Sequence, residues 1–253
     1  MPIRYARRLT GRKRSTLANR QLGVALAFIA GAINAGGFLA VQQYTSHMTG
    51  IVSAMADHIA LGAYGLVWSG LGGVLSFLLG AIGSSVLINY ARRRRLHSEY
   101  ALPLLLEAFL LLCFGFLGAS LAAIEGFFVP LTVMLLCFIM GLQNALITKL
   151  SHAEIRTTHI TGIVTDIGIE LGKLLYWNRR TGGKLLPVLA DRERLRVLSL
   201  LALGFFLGGL TGAFGFKHLG YISTVPLALL LVSLASVPAL DDLRALFKRT
   251  QRY

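Results

Sequence analysis

The sequence predicts an all-α polytopic membrane protein: six transmembrane helices in a 3+3 inverted repeat, with two short re-entrant or interfacial helices. Composition, the distribution of basic residues and an internal repeat support this prediction. Of the 253 residues, 55% are hydrophobic and 14% are charged, whereas a soluble domain carries about 25% charged residues. The mean hydropathy is +0.67. These values exclude a water-soluble enzyme as the function class.

Six apolar runs are long enough to cross a bilayer, which needs roughly 20 helical residues. Runs of this kind must be helical, because lipid offers no hydrogen-bond partner to open backbone groups. The predicted spans cover residues 22–41, 66–90, 101–124, 127–147, 197–216 and 221–239. We divide the chain into a basic N-terminus (1–20), two three-helix repeats (21–125 and 126–240) and a basic tail (241–253).

The basic residues determine the predicted orientation. Of the 25 lysines and arginines, 24 lie in segments that six spans place on one side, and only Lys217 is left for the other. Because cytoplasmic loops are enriched in basic residues, we expect both termini to be cytoplasmic in a bacterial inner membrane. The net charge of +14 then indicates contact with anionic lipid headgroups, and no nucleic-acid partner is expected.

The two halves of the chain share a motif. The first copy contains Gly31-Ala-Ile-Asn34-Ala followed by Ser46-His47-Met48-Thr49-Gly50-Ile-Val-Ser, and the second contains Gly141-Leu-Gln-Asn144-Ala followed by Thr158-His159-Ile160-Thr161-Gly162-Ile-Val-Thr. A second match relates Phe77-Leu-Leu-Gly80 to Phe205-Phe-Leu-Gly208. Three spans per copy would make the copies run in opposite directions, as in many secondary transporters.

These motifs resemble those of the YoaK-type family of bacterial membrane proteins. The resemblance rests on Tyr-Thr-Ser-His-Met-Thr-Gly at 44–50, Gly-Leu-Gln-Asn-Ala at 141–145, Arg-Thr-Thr-His-Ile-Thr-Gly at 156–162 and Thr-Asp-Ile-Gly at 165–168. It extends over roughly residues 18–240. It implies a multi-pass membrane protein of unknown function and brings neither a substrate nor a site.

The segments after the two histidines are apolar but too short to span. We expect each to be a short helix capped by Thr49 or Thr161, where Gly50 or Gly162 lets a ligand approach the backbone. The free N–H groups of such a helix start suit an anion. The alternative is an amphipathic helix in the headgroup layer. His47 and His159 are candidates for substrate or proton binding, with a purely structural hydrogen bond as the alternative.

Other polar residues in apolar surroundings complete the candidate site. Asn34 and Asn144 each need a partner in the bundle, either another helix or a substrate. Glu107 lies within the third span, where a carboxyl group is costly and often functional. Asp166 and Glu170 share a helix face, where they could couple protons, or Glu170 could simply pair with Lys173.

The predicted function is secondary transport of a small polar or anionic solute, with Glu107, Asp166 and Glu170 as candidates for proton coupling. The substrate-binding candidates are Asn34, His47, Thr49, Gly50, Asn144, His159, Thr161 and Gly162. The alternatives are an intramembrane enzyme with a His/carboxylate metal site, and a channel or scaffold subunit. No Walker sequence or hydrolase motif is present, so we expect no enzymatic activity, cofactor or metal. A homo-oligomer is left open.

Overall fold

The computed structural model describes residues 16–94, 96, 99–121, 125–151, 157–177 and 187–250. The basic residues before Thr16, together with Arg95, Arg156, Arg179, Arg180, Lys184 and Arg252, lie outside the described residues. The described residues form eight α-helices and one 3-10 helix: α1 (Thr16–Val41), α2 (Met48–Ala60), α3 (Tyr64–Arg93), α4 (Ala101–Leu121), α5 (Glu125–Leu150), α6 (Ile160–Leu175), α7 (Arg192–Leu219), η1 (Gly220–Ser223) and α8 (Thr224–Thr250).

The all-helical prediction is confirmed for the described residues, which contain no strand. Five stretches are long and apolar enough to cross a membrane, and the last of them, Arg192–Ser236, is interrupted by η1 and so contains α7 and part of α8. Several helices extend beyond the predicted apolar runs, as at Tyr64 and Arg192. Polar residues at these ends continue the helical hydrogen bonding, and the side chain of Asp191 caps α7 by accepting a hydrogen bond from the N–H of Arg194 at 2.9 Å.

Helices α1 and α5 form the centre of the bundle. In their most apolar windows 56% and 61% of residues are buried, compared with 22% for α3. Their buried side chains recur at helical spacing, as with Leu22, Leu26, Ile29 and Ile33 of α1. The two helices are antiparallel, because Asn19 Nδ2 donates to the Leu150 carbonyl at 3.4 Å and Gln143 Nε2 donates to the Leu26 carbonyl at 3.1 Å.

Glycines bring the outer helices against the central ones at mid-length. A Cβ on Gly31 of α1 would overlap the carbonyl oxygen of Phe205 of α7, and a Cβ on Gly208 of α7 would overlap the carbonyl of Phe28 of α1. Helices α5 and α3 repeat this arrangement: Gly141 meets the carbonyl of Phe77, and Gly80 meets the carbonyl of Phe138. Each central helix therefore packs on an outer helix of the other half of the sequence, at the motifs that the sequence repeats.

The remaining contacts follow the same pattern. Helix α4 packs on α8, the short helix α2 packs on α3, and the short helix α6 packs on α7. The outer helices α3 and α7 expose large apolar side chains along their length, such as Leu78, Leu79, Leu203 and Phe206. A lipid-facing surface accounts for this exposure, because lipid tails are as apolar as the side chains themselves.

Substitution of the central glycines tests this packing. Gly80→Ala and Gly208→Ala should each destabilise the protein by about 1–3 kcal/mol, because the added methyl group would overlap a backbone carbonyl that cannot move independently. Thermal unfolding in detergent measures the effect. Gly83→Ala is the matched control on α3, since a Cβ there would meet only the Phe138 ring at 3.7 Å. A similar loss of stability at Gly83 would contradict this account.

Candidate functional site

Two asparagines anchor the chain where it turns back after each central helix. Ser46 Oγ donates to Asn34 Oδ1 at 2.8 Å, and Thr158 Oγ1 donates to Asn144 Oδ1 at 2.6 Å. Each asparagine lies three residues after a mid-bundle glycine, Gly31 or Gly141. This separation is less than one helical turn. The loops that follow α1 and α5 are therefore drawn back towards the middle of the bundle. The candidate residues Asn34 and Asn144 make structural hydrogen bonds here.

The two short helices begin immediately after these anchors. The N-cap residues are His47 and His159, and neither makes a side-chain capping hydrogen bond. The prediction that Thr49 and Thr161 are the caps is wrong. The anchored residue lies directly before each histidine, so each helix begins two residues earlier than it would with the threonine as its cap. Thr49 and Thr161 lie in the first turn and are exposed.

Each histidine ring folds over the glycine three residues along the chain. A Cβ on Gly50 would overlap Nδ1 of His47, and a Cβ on Gly162 would overlap Nδ1 of His159. The first N–H groups of a helix have no partner within the helix. At both helix starts the histidine N-cap makes no side-chain hydrogen bond to these groups.

The short helices run from the bundle interior outwards to opposite ends. Ile51 of α2 packs on Gly73 of α3, which is nine residues, or about 14 Å, from the start of α3 at Tyr64. In the second half, Arg194 Nη2 donates to Asp166 Oδ2 at 3.0 Å, so the middle of α6 lies beside the start of α7. His159 precedes Asp166 by seven residues and lies about 10 Å deeper. Because α1 and α5 are antiparallel, the two helix starts approach the middle from opposite sides.

A crevice of about 420 Å³ opens at the end of α1, between α1, α2 and α3. We call this the outer crevice, because it lies between the central helix α1 and the outer helix α3. His47 and Gly50 line it, together with Gln42, Gln43, His58 and Ser69. His159 is not among its lining residues. A second crevice of about 390 Å³ lies at the opposite end and is lined by Asn19, Arg20, Ser151, Asp191 and Arg194, among others.

Asp166 and Glu170 both face the start of α7. Glu170 is buried and accepts hydrogen bonds from Lys173 Nζ and from the backbone N–H of Asp191, each at 2.8 Å. The predicted pairing of Glu170 with Lys173 is confirmed. These contacts, first of all the bond from Lys173, lower the pKa of Glu170 despite its burial. An ion pair between Arg20 and Glu193 adds α1 to this group of charged residues, which we call the clasp.

Glu107 lies inside α4 and is fully buried. Neither of its carboxyl oxygens has a hydrogen-bond partner among the described residues. Six further buried side-chain atoms of the described residues share this property, among them Oγ1 of Thr45, Oγ1 of Thr157 and Oε1 of Gln143, which were not site candidates from the sequence. The two threonines occupy equivalent positions, two residues before His47 and His159. The repeat was therefore a sequence signal that could have identified them.

Comparison with known proteins agrees with the motifs. The family model described as "Protein of unknown function (DUF1275)" matches residues 22–237. The chain is 26% identical over 156 residues to "UPF0700 transmembrane protein YoaK" of Bacillus subtilis (strain 168), a match that covers 61% of this chain and 68% of the relative. No solved structure matches the chain. The resemblance inferred from the sequence motifs is confirmed.

Because Glu170 is part of the clasp, we expect its contribution to the stability of the fold to depend on pH. Because its pKa is lowered in the folded protein, the carboxylate stabilises the fold above the usual glutamate pKa of about 4.3, and this contribution is lost as the pH falls through the lowered value. Glu170→Gln should therefore lower the melting temperature at pH 7, and the difference from wild type should shrink towards pH 3–4 (about the glutamate range). Asp57→Asn, at an exposed carboxylate of α2, is the control. A pH-independent difference would contradict the assignment.

Proposed function

The chain belongs to the DUF1275 family, and from its geometry we propose that it is a secondary transporter of a small polar or anionic solute across the bacterial inner membrane. One observation carries the proposal. Two short helices, tied by equivalent hydrogen bonds to Asn34 and Asn144, begin near the middle of the bundle and leave it in opposite directions. Discontinuous helices of this kind form the substrate sites of many transporters.

In this proposal the chain crosses the membrane six times as a 3+3 inverted repeat. The stretch Arg192–Ser236 would cross twice, with η1 as the turn between α7 and α8. Equivalent helices of the two halves have equivalent packing partners, which supports the repeat. Helix α1 packs on α7 as α5 packs on α3, and α2 packs on α3 as α6 packs on α7. Both termini would be cytoplasmic, which the distribution of 24 of 25 basic residues supports.

The short helices would be re-entrant rather than interfacial. Exposed aromatic residues suited to a membrane interface follow the distal ends of both short helices. They are Tyr64 and Trp68 at the start of α3, after α2, and Tyr176 and Trp177 directly after α6. The starts of the short helices are held deeper by the asparagine bonds. A helix start held in this way directs its positive dipole end and its free N–H groups at an anion or a polar group.

Glycine substitutions at the helix starts test this role in proteoliposomes. Gly50→Ala and Gly162→Ala should abolish most solute uptake with little loss of stability, because the new methyl group displaces a histidine side chain and not a backbone. Uptake of a labelled metabolite pool into liposomes, together with the melting temperature, measures both effects. Gly168→Ala on α6 is the matched control, because nothing lies within 4 Å of a Cβ there. Full uptake by both helix-start variants would overturn the proposal.

Glu107 is the proposed proton-coupling residue. A carboxyl group buried without a partner is favoured in its neutral form and can exchange a proton when a water-filled path reaches it. Glu107→Gln should therefore keep the fold, with an unchanged or higher melting temperature, and remove the pH dependence of uptake. Glu193→Gln, at a side chain that is 71% exposed, should retain that dependence. Uptake by Glu107→Gln with the wild-type pH profile would leave Glu107 a structural residue.

A further inference from the structure

The outer crevice has a composition that indicates the class of its ligand. Its polar groups are two carboxamides, two imidazoles, a phenol and a hydroxyl, from Gln42, Gln43, His47, His58, Tyr44 and Ser69. No aspartate, glutamate, lysine or arginine lines it. Its other walls are apolar, formed by Phe38, Ile51, Met55 and Leu66. The crevice therefore combines uncharged or imidazole hydrogen-bond donors with an apolar surface, within a volume suited to a small organic molecule.

Gln42 has an unusual backbone conformation in this crevice. Its φ of 55° makes it the one non-glycine residue with a positive φ among the described residues. It ends α1, and its N–H donates to the Phe38 carbonyl at 2.7 Å. Glycine is the favoured residue at such a helix end, and asparagine is the usual second choice. A glutamine there costs conformational energy without improving the helix end, so the observed strain points to a use of the side chain.

The donors that line the crevice suit an anion of low charge. A carboxamide donates through its NH₂ group, and an imidazole donates at least one N–H in either protonation state. The ring of His47 lies over Gly50, so its donor adjoins the free N–H groups of the α2 start. A di- or trianion would call for arginine or lysine, and the crevice has neither. A carboxylate with an apolar remainder matches both the donors and the walls.

We propose that the outer crevice binds a small organic monocarboxylate, and that Gln42 and His47 bind its carboxylate. His58 lies eleven residues after His47 on α2, about 16 Å along the helix, so it lines another part of the crevice and does not share that carboxylate. This inference rests on the proposed transport function and names its substrate class. Binding is nevertheless measurable without transport, which makes the two proposals separable.

The experiment measures binding to the full-length protein in detergent by calorimetry and by thermal shift. The probes are propionate and lactate, each compared with its neutral amide, propionamide or lactamide. The acids should bind and raise the melting temperature, whereas the amides should not. Equal binding of acids and amides would overturn the assignment of a carboxylate.

Gln42→Gly separates a ligand role from a backbone role. The variant relieves the positive φ, so its melting temperature without ligand should equal or exceed that of the wild type. Its affinity for propionate should nevertheless fall about tenfold, the loss expected when a hydrogen bond to a charged group is removed. Wild-type affinity in this variant would overturn the role of Gln42.

His47→Ala should weaken propionate binding to a similar extent, which provides a second test at a position without backbone strain. His218→Ala is the control, because His218 is exposed at the end of α7 and stacks on Phe214 outside the crevice. Wild-type affinity in His47→Ala, or an equal loss in His218→Ala, would overturn the site. Carboxylate binding without solute uptake would support the binding site and contradict the transport proposal. Solute uptake without carboxylate binding would support transport and contradict the binding site.

Discussion

The close contact between glycines and backbone carbonyls at mid-bundle is the constraint on which the rest of the structure depends. Gly31 and Gly208 bring α1 and α7 together, and Gly141 and Gly80 do the same for α5 and α3. Helices in a membrane gain little from burying apolar surface against one another, so close backbone approach and the resulting dispersion contacts hold them together. Because each glycine meets a carbonyl three residues before the partner's own glycine, the contact fixes register as well as distance.

That register determines where the short helices begin. Asn34 and Asn144 follow the central glycines by three residues, so their side chains lie near the same level on opposite sides of the middle. Amide groups inside a helix bundle need partners, and each of these two accepts a hydrogen bond from the hydroxyl group of the residue that precedes a histidine. The chain therefore cannot continue away from the bundle after α1 or α5. The helix starts are positioned by the same contacts that hold the bundle together.

The sequence predicted these features to different extents. The apolar runs predicted where the membrane helices lie, because hydropathy is a local property. They did not predict where the helices end, since α7 begins at Arg192 and not at residue 197. The repeat identified the histidines and asparagines, because equivalent positions can be compared without coordinates. It could not indicate that α1 packs on α7 rather than on α3, since either pairing brings glycines together. The positive φ of Gln42 could not be predicted from the sequence either, because it depends on how the chain turns in three dimensions.

The two copies differ most in charge. His58 and Glu170 occupy equivalent positions, eleven residues after His47 and His159. In the second copy, Glu170 and the neighbouring ion pairs join α6 to α7. Among the described residues no ion pair joins α2 to α3, and apolar packing holds α2 in place there. Charges already satisfied by each other are poor partners for a ligand. We therefore infer that the carboxylates of α6 act mainly as a clasp, and that ligand chemistry concentrates at the imidazoles and amides of the outer crevice.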